Sequence, residues 1–209
     1  MGKKQNTLRC GEIALMVALA VTLLWGVWSL QEQDGLERKM IRLHVIANSD
    51  AQDDQALKLQ VRDAVLAQAT DLLQQSRDMV DAQRKLSLAL PAIETAAREK
   101  VVAEGYDYAV AARLEQTEFP TKEYDGFSLP AGEYLALRVV IGEGAGQNWW
   151  CVVFPPLCTA AATDIEETAI ATGLGEEDIS LITEENQGYV LKFRSLELWE
   201  SLRQWLKKR

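Results

Sequence analysis

The stretch Leu129–Cys158, LPAGEYLALRVVIGEGAGQNWWCVVFPPLC, sets the terms for the rest of the chain. Leu135, Leu137, Val139 and Ile141 alternate with Tyr134, Ala136, Arg138 and Val140; after a run of glycines, Trp149, Cys151 and Val153 alternate with Trp150, Val152 and Phe154. Period-two alternation of β-branched and aromatic residues marks strands. The stretch therefore predicts a β-hairpin with strands near 133–142 and 148–154. Large apolar groups on both faces suit central strands that are covered on both sides. Gly142-Glu143-Gly144-Ala145-Gly146 has the look of a nucleotide-binding loop, but that role requires the glycines to open a helix whose amides meet a phosphate. Asn148–Phe154 has no helical period, so the glycines read as a hairpin loop.

Upstream, Ile41, Leu43, Val45 and Ala47 alternate with Arg42, His44, Ile46 and Asn48 in a first strand. Ser49 and Gln52 fit a capping box, Asp53 and Asp54 suit the positive end of a helix, and Leu57, Val61, Ala64, Val65, Ala69 and Leu72 recur at helical spacing. A second helical region starts near Arg77, with Met79, Leu86, Leu90, Ile93, Ala97 and Val101 on its apolar face. Pro91 predicts a kink or a fresh start there, and Gly105 a C′ stop. Tyr108, Val110, Ala112 and Leu114 read as a strand near 108–116, and Phe119–Pro130 as a turn-rich connection with Asp125-Gly126 at its tip. Past Cys158 the pattern weakens to a short helix over Thr163–Thr172, a strand over Gly188–Arg194, and a last helix capped by Ser195. The expected fold is α+β: a mainly antiparallel sheet with the helices of 50–104 on one face, preceded by an N-terminal signal or anchor helix. Residues 1–30 form that segment, 31–158 the main domain, and 159–209 an extension packed on the same domain.

Charge divides the 209-residue chain unevenly. Lys3, Lys4 and Arg9 against Glu12 give the first 30 residues +2, and a total of −9 leaves −11 for the remainder. Such a body is repelled by nucleic acid and by anionic lipid, and suits a partner with a basic face. Ile13–Leu30 carries no formal charge and follows the basic residues, which predicts a membrane or export segment with the body outside. An A-x-A-like cleavage site is missing, which favours a retained anchor over a cleaved leader. Cys10 precedes the apolar run, so it is not a lipoprotein cysteine.

Catalytic signatures are few. A single histidine excludes HExxH and any His-rich metal site, and neither G-x-S-x-G, a Walker motif nor paired zinc-type cysteines occur. No cofactor and no metal are expected. His44 with Asp50 or Cys151 would be the material for a base and nucleophile, but a lone histidine on a strand is more often structural. Cys151 and Cys158 are candidates for a disulfide if the body is outside the cytosol, the alternative being two buried free thiols. A partner surface is expected at Asn48, Ser49 and Asp50, with neighbouring His44, Glu143 and Trp149 or Trp150, since aromatic anchors beside polar groups typify binding hot spots. The two tryptophans point to opposite faces, so one anchors and the other is core.

Two stretches carry a resemblance: His44-Val45-Ile46-Ala47-Asn48-Ser49-Asp50 with Asp54–Leu59, and Leu129–Tyr134 through Asn148–Cys151 to Pro155–Cys158. They resemble the stage II sporulation protein R family over roughly residues 10–158, while Thr159-Ala160-Ala161 departs from the family's pattern. The resemblance implies a non-enzymatic signal of endospore-forming bacteria, exported from the forespore into the space between two membranes. There it would activate a membrane-embedded aspartic protease of the mother cell, leading to processing of the precursor of sigma factor E. Two other classes remain: an extracytoplasmic enzyme acting on the cell wall, and a structural membrane-tethered module.

Overall fold

The structure is a computed structural model and describes residues 15–22, 35–124, 126–158, 168–170 and 174–183. Met1–Leu36 form one compact unit and Glu37–Arg209 another. In the first, residues 15–22 are helical, and the Thr22 hydroxyl donates to the carbonyls of Ala18 and Leu19. Among the described residues no helix is long and apolar enough to cross a membrane. Cys10, the basic residues before it and the remainder of the Ile13–Leu30 run lie outside the described residues.

The second unit contains, in order, β1 (Ile41–Ile46), α1 (Gln52–Gln74), α2 (Met79–Ala103), β2 (Val110–Phe119), β3 (Lys122–Tyr124), β4 (Phe127–Leu129), β5 (Gly132–Ile141), β6 (Asn148–Phe154) and α3 (Glu176–Ile182). Four strands form one sheet in the order β2-β5-β1-β6, and β3-β4 make a separate two-stranded ribbon. β5 is antiparallel to β2 but parallel to β1, and β1 is antiparallel to β6. The fold is α+β, as expected, but the sheet is mixed where a mainly antiparallel one was expected.

The hairpin expectation is corrected too. β5 and β6 are both strands of one sheet but do not pair; β1 lies between them, with Leu43 opposite Leu137 on one side and Cys151 on the other. Alternation identifies a strand without naming its neighbour. β1 is buried at every position, so both its edges need a hydrogen-bonding partner. The glycine loop then crosses two interstrand spacings, roughly 10 Å, instead of making a tight turn.

Both helices pack on one face of the sheet. Leu57, Val61, Val65, Ala69 and Leu73 of α1 and Ala82, Leu86, Ile93, Ala97 and Val101 of α2 share a core with Ile41, Leu43 and Val45, with Leu137, Val139 and Ile141, and with Cys151 and Val153. The line of α1 therefore runs through Leu73, one position from the expected Leu72. α2 starts at Asp78, whose side chain accepts the Asp81 amide at 2.8 Å. It passes through Pro91 without ending, because that proline is on the exposed side, where water can take the freed carbonyl. Gly105, at φ +85°, closes it: Tyr106 N–H bonds the Val101 carbonyl and Gly105 N–H the Val102 carbonyl, the paired bonds of a Schellman stop.

Beyond β6, α3 was not anticipated; its Asp178 pairs with Lys39 at 2.6 Å, and Thr183 bridges to Phe127. Of the expected helix over 163–172, residues 168–170 are described and helical. The expected strand at 188–194 and the helix from Ser195 lie outside the described residues.

Candidate functional site

The corner after β1 is built around Asp54. Asn48 Nδ2 and Ser49 Oγ both donate to Asp54 Oδ2, at 2.9 and 2.5 Å. These bonds, the Ser49 hydroxyl first, hold the Asp54 carboxyl below its ordinary range. Ala51, not Ser49, is the N-cap of α1, so the Ser49–Gln52 capping box is not formed; Gln55 Nε2 donates instead to the Ser49 carbonyl. Asn48 also holds the glycine loop. Its Oδ1 accepts the Glu143 amide at 3.0 Å and its carbonyl the Ala145 amide at 3.1 Å, while Gly146 N–H reaches the Ala47 carbonyl. From α1, Lys58 Nζ donates to the Gln147 carbonyl at 3.0 Å. A Cβ on Gly146 would collide with the Ser49 backbone carbonyl, so the loop approaches this corner as only glycine can. Of the expected partner residues here, Asn48 and Ser49 spend their side chains inside the protein, whereas Asp50 and Glu143 are exposed.

The sheet face away from the helices carries the other candidates. His44 lies there with its Nε2 2.8 Å from Asn148 Oδ1, and its ring is 5.8 Å from Phe119 and 6.0 Å from Trp150. Burial pushes its pKa down, and nearby Arg138 and Arg42 add to that against the opposing Asn148 bond, so the ring is neutral at pH 7. The hydrogen-bond partner of His44 is Asn148, not Asp50. Cys151 stands opposite Leu43 and belongs to the helical side, bonded to Cys158 with the Cα atoms 5.6 Å apart. The base-and-nucleophile pairings of the sequence are thus not brought together. Among the described residues no group of three or more His, Cys, Asp or Glu side chains is placed to hold a metal.

Trp149 and Trp150 do point to opposite faces. Trp149 packs against the helical core under Arg62, whose guanidinium is 4.4 Å from the ring centre. Trp150 stands beside His44 on the other face, with Lys122 Nζ 5.5 Å from its ring centre.

Sequence reasoning missed Arg42. Its side chain is fully buried on the sheet face away from the helices. Nη2 donates to the Tyr124 hydroxyl at 2.6 Å, and the guanidinium carbon lies 4.0 Å from the Phe119 ring centre and 4.9 Å from that of Tyr134. Nε and Nη1 have no hydrogen-bond partner. The aromatic faces offset part of the cost of burying this charge. An arginine inside the otherwise apolar run IRLHVI was the available signal. Also missed was the row that register creates across the sheet: Arg113 opposite Arg138, Arg138 opposite His44, and His44 opposite Trp150. Those residues are distant in sequence and meet only because β1 is inserted between β5 and β6.

The described residues define an α+β domain whose sheet presents an aromatic and cationic face opposite the face that the helices cover. The chain belongs to the stage II sporulation protein R family: the family of that description matches residues 37–164. A curated relative from Bacillus subtilis (strain 168), named stage II sporulation protein R, is 35% identical over 159 residues, covering 74% of this chain and 71% of the relative. No solved structure matches it.

Proposed function

We propose that this chain is an exported sporulation signal, made in the forespore and delivered between the two membranes, that activates a membrane-embedded aspartic protease of the mother cell. Activation leads to processing of the precursor of sigma factor E. The observation that carries this reading is the family match over residues 37–164, which takes in β1 through β6 as one unit. The basic-then-apolar N-terminus supports delivery across a membrane, either as a cleaved leader or as an anchor. The Cys151–Cys158 bond supports an oxidising destination. His44, bonded to Asn148 and set apart from Asp50 and from the disulfide-bonded Cys151, supports a role that depends on binding.

Co-expression of the full chain with the protease and the sigma-factor precursor in a non-sporulating host is the direct test. The expected result is precursor cleavage that requires all three proteins. Cleavage that proceeds equally without this chain would remove the reading.

A further inference from the structure

The body of this protein is acidic, yet the sheet face away from the helices is not. Arg42, Arg113 and Arg138 point to it from three strands and Lys122 reaches over it from β3, while Glu115 pairs with Arg138 and the Glu37 carboxylate lies over Gly132 beside Tyr134. Arg113 and Arg138 sit directly opposite each other on neighbouring strands, an arrangement that costs stability unless an anion intervenes. Glu115 answers only one of the two, at 3.0 Å from Arg138. Beside them on β1, buried Arg42 rests against the Phe119 and Tyr134 rings and the Tyr124 hydroxyl, and its charge adds to the positive potential of this face. His44 Nδ1 and Trp150 Nε1 have no hydrogen-bond partner. A face with surplus positive charge is chemically incomplete.

We propose that the row Arg113–Arg138–His44–Trp150 is a docking surface for an acidic segment of a protein partner, whose carboxylates pair with Arg113 and Arg138 while an apolar side chain packs on Trp150. Arginine suits this task because its planar fork takes a carboxylate through two hydrogen bonds, and tryptophan and arginine are among the residues enriched in energetic hot spots. The row spans three interstrand spacings, roughly 14 Å, which matches about four residues of extended peptide. A protein segment fits better than a membrane surface or an anionic polymer, since the −9 charge of the whole chain repels any extended array of negative charge and tolerates a short one. The inference rests on the reading of this chain as a signal that acts on another protein, and it narrows that reading to one face.

The probe is a synthetic octapeptide alternating glutamate and valine, titrated into isotopically labelled full-length protein in a neutral detergent and followed by NMR. The Trp150 indole and Arg138 side-chain signals are expected to shift saturably, and the glutamine–valine counterpart to have no effect. The double variant Arg113→Gln/Arg138→Gln should weaken the peptide at least about tenfold, while Arg98→Gln, on the exposed side of α2, should leave it unchanged. In the co-expression assay, Arg113→Glu/Arg138→Glu should abolish precursor cleavage, and Arg113→Gln/Arg138→Gln, which creates no new like-charge pair, should impair it while the domain stays folded by circular dichroism. Equal binding of the glutamine peptide, tighter binding of phosphatidylglycerol vesicles or polyphosphate at the same signals, or normal cleavage by the charge-reversed variant would each overturn the proposal. If the wild-type chain binds the peptide but never triggers cleavage, the docking surface stands and the protease assignment falls.

Discussion

Asn48 is expected to be a structural residue, and replacing it with alanine should expose that role. The side chain donates to a buried carboxylate, Asp54, and accepts the Glu143 amide. A hydrogen bond to a charged group contributes about 1.5–3 kcal/mol and a neutral one about 0.5–1.5 kcal/mol. The Glu143 amide is at the surface, where water can replace the lost oxygen, so its share is at the low end. Asn48→Ala should therefore destabilise the domain by about 2–3 kcal/mol. For a domain of this size each kcal/mol lowers the melting temperature by about 2–4 °C, giving a drop of roughly 4–12 °C. The neighbouring Asp50 is exposed and has no side-chain hydrogen bond among the described residues, so Asp50→Ala should stay within about 0.5 kcal/mol of wild type. Thermal unfolding followed by circular dichroism measures both. An Asn48→Ala protein that melts within about 2 °C of wild type yet fails to signal would refute the reasoning and make the corner a contact surface.

Trp149→Ala should cost about 3–5 kcal/mol, because the ring packs on the helical core, whereas Trp150→Ala should cost less stability and more signalling; chemical denaturation of the two variants, read beside precursor cleavage, separates them. Folding lowers the pKa of His44 from its ordinary 6.5, so the native state binds fewer protons than the unfolded one and stability must decline as pH falls below about 6.5. With one histidine in the chain, His44→Gln should flatten the melting temperature between about pH 7.5 and 5.5 relative to wild type, and a variant whose decline is as steep would assign it elsewhere. Removing the Cys151–Cys158 bond, which closes a loop with a sequence separation of seven, should cost about 2–3 kcal/mol on chain-entropy grounds; Cys151→Ser/Cys158→Ser should melt lower than oxidised wild type and match the reduced protein.

The individual elements were legible because each is a local pattern. The alternation in 148–154 gave β6 with its observed limits, and the apolar spacing of Leu57, Val61, Val65 and Ala69 gave the face that α1 buries. Pairing was not legible. Nothing in 129–158 shows that residues 41–46 slide between its two strands, since the choice is made by the need of a wholly buried strand for two neighbours. The same gap hid much of the candidate site. His44 and Trp150 stood out singly, but Arg113, Arg138 and Arg42 gain meaning only from register. Asn48 and Ser49 were selected as displayed polar groups, and their absorption into the Asp54 network depends on where the glycine loop crosses.

The insertion of β1 also bears on how the domain comes into being. Its two neighbours begin at Gly132 and Asn148, so the strand laid down early is completed only by segments synthesised about a hundred residues later. Contacts of such long sequence separation slow folding, because the intervening chain must be ordered before they form. A ribosome or a translocation channel that has released everything up to Ile141 has still not released the segment that closes one edge of the sheet's most buried strand. Until Asn148–Phe154 emerges, that edge is an open template for pairing with another chain. Stop codons between Ile141 and Asn148 should thus yield aggregating protein, not a shortened domain.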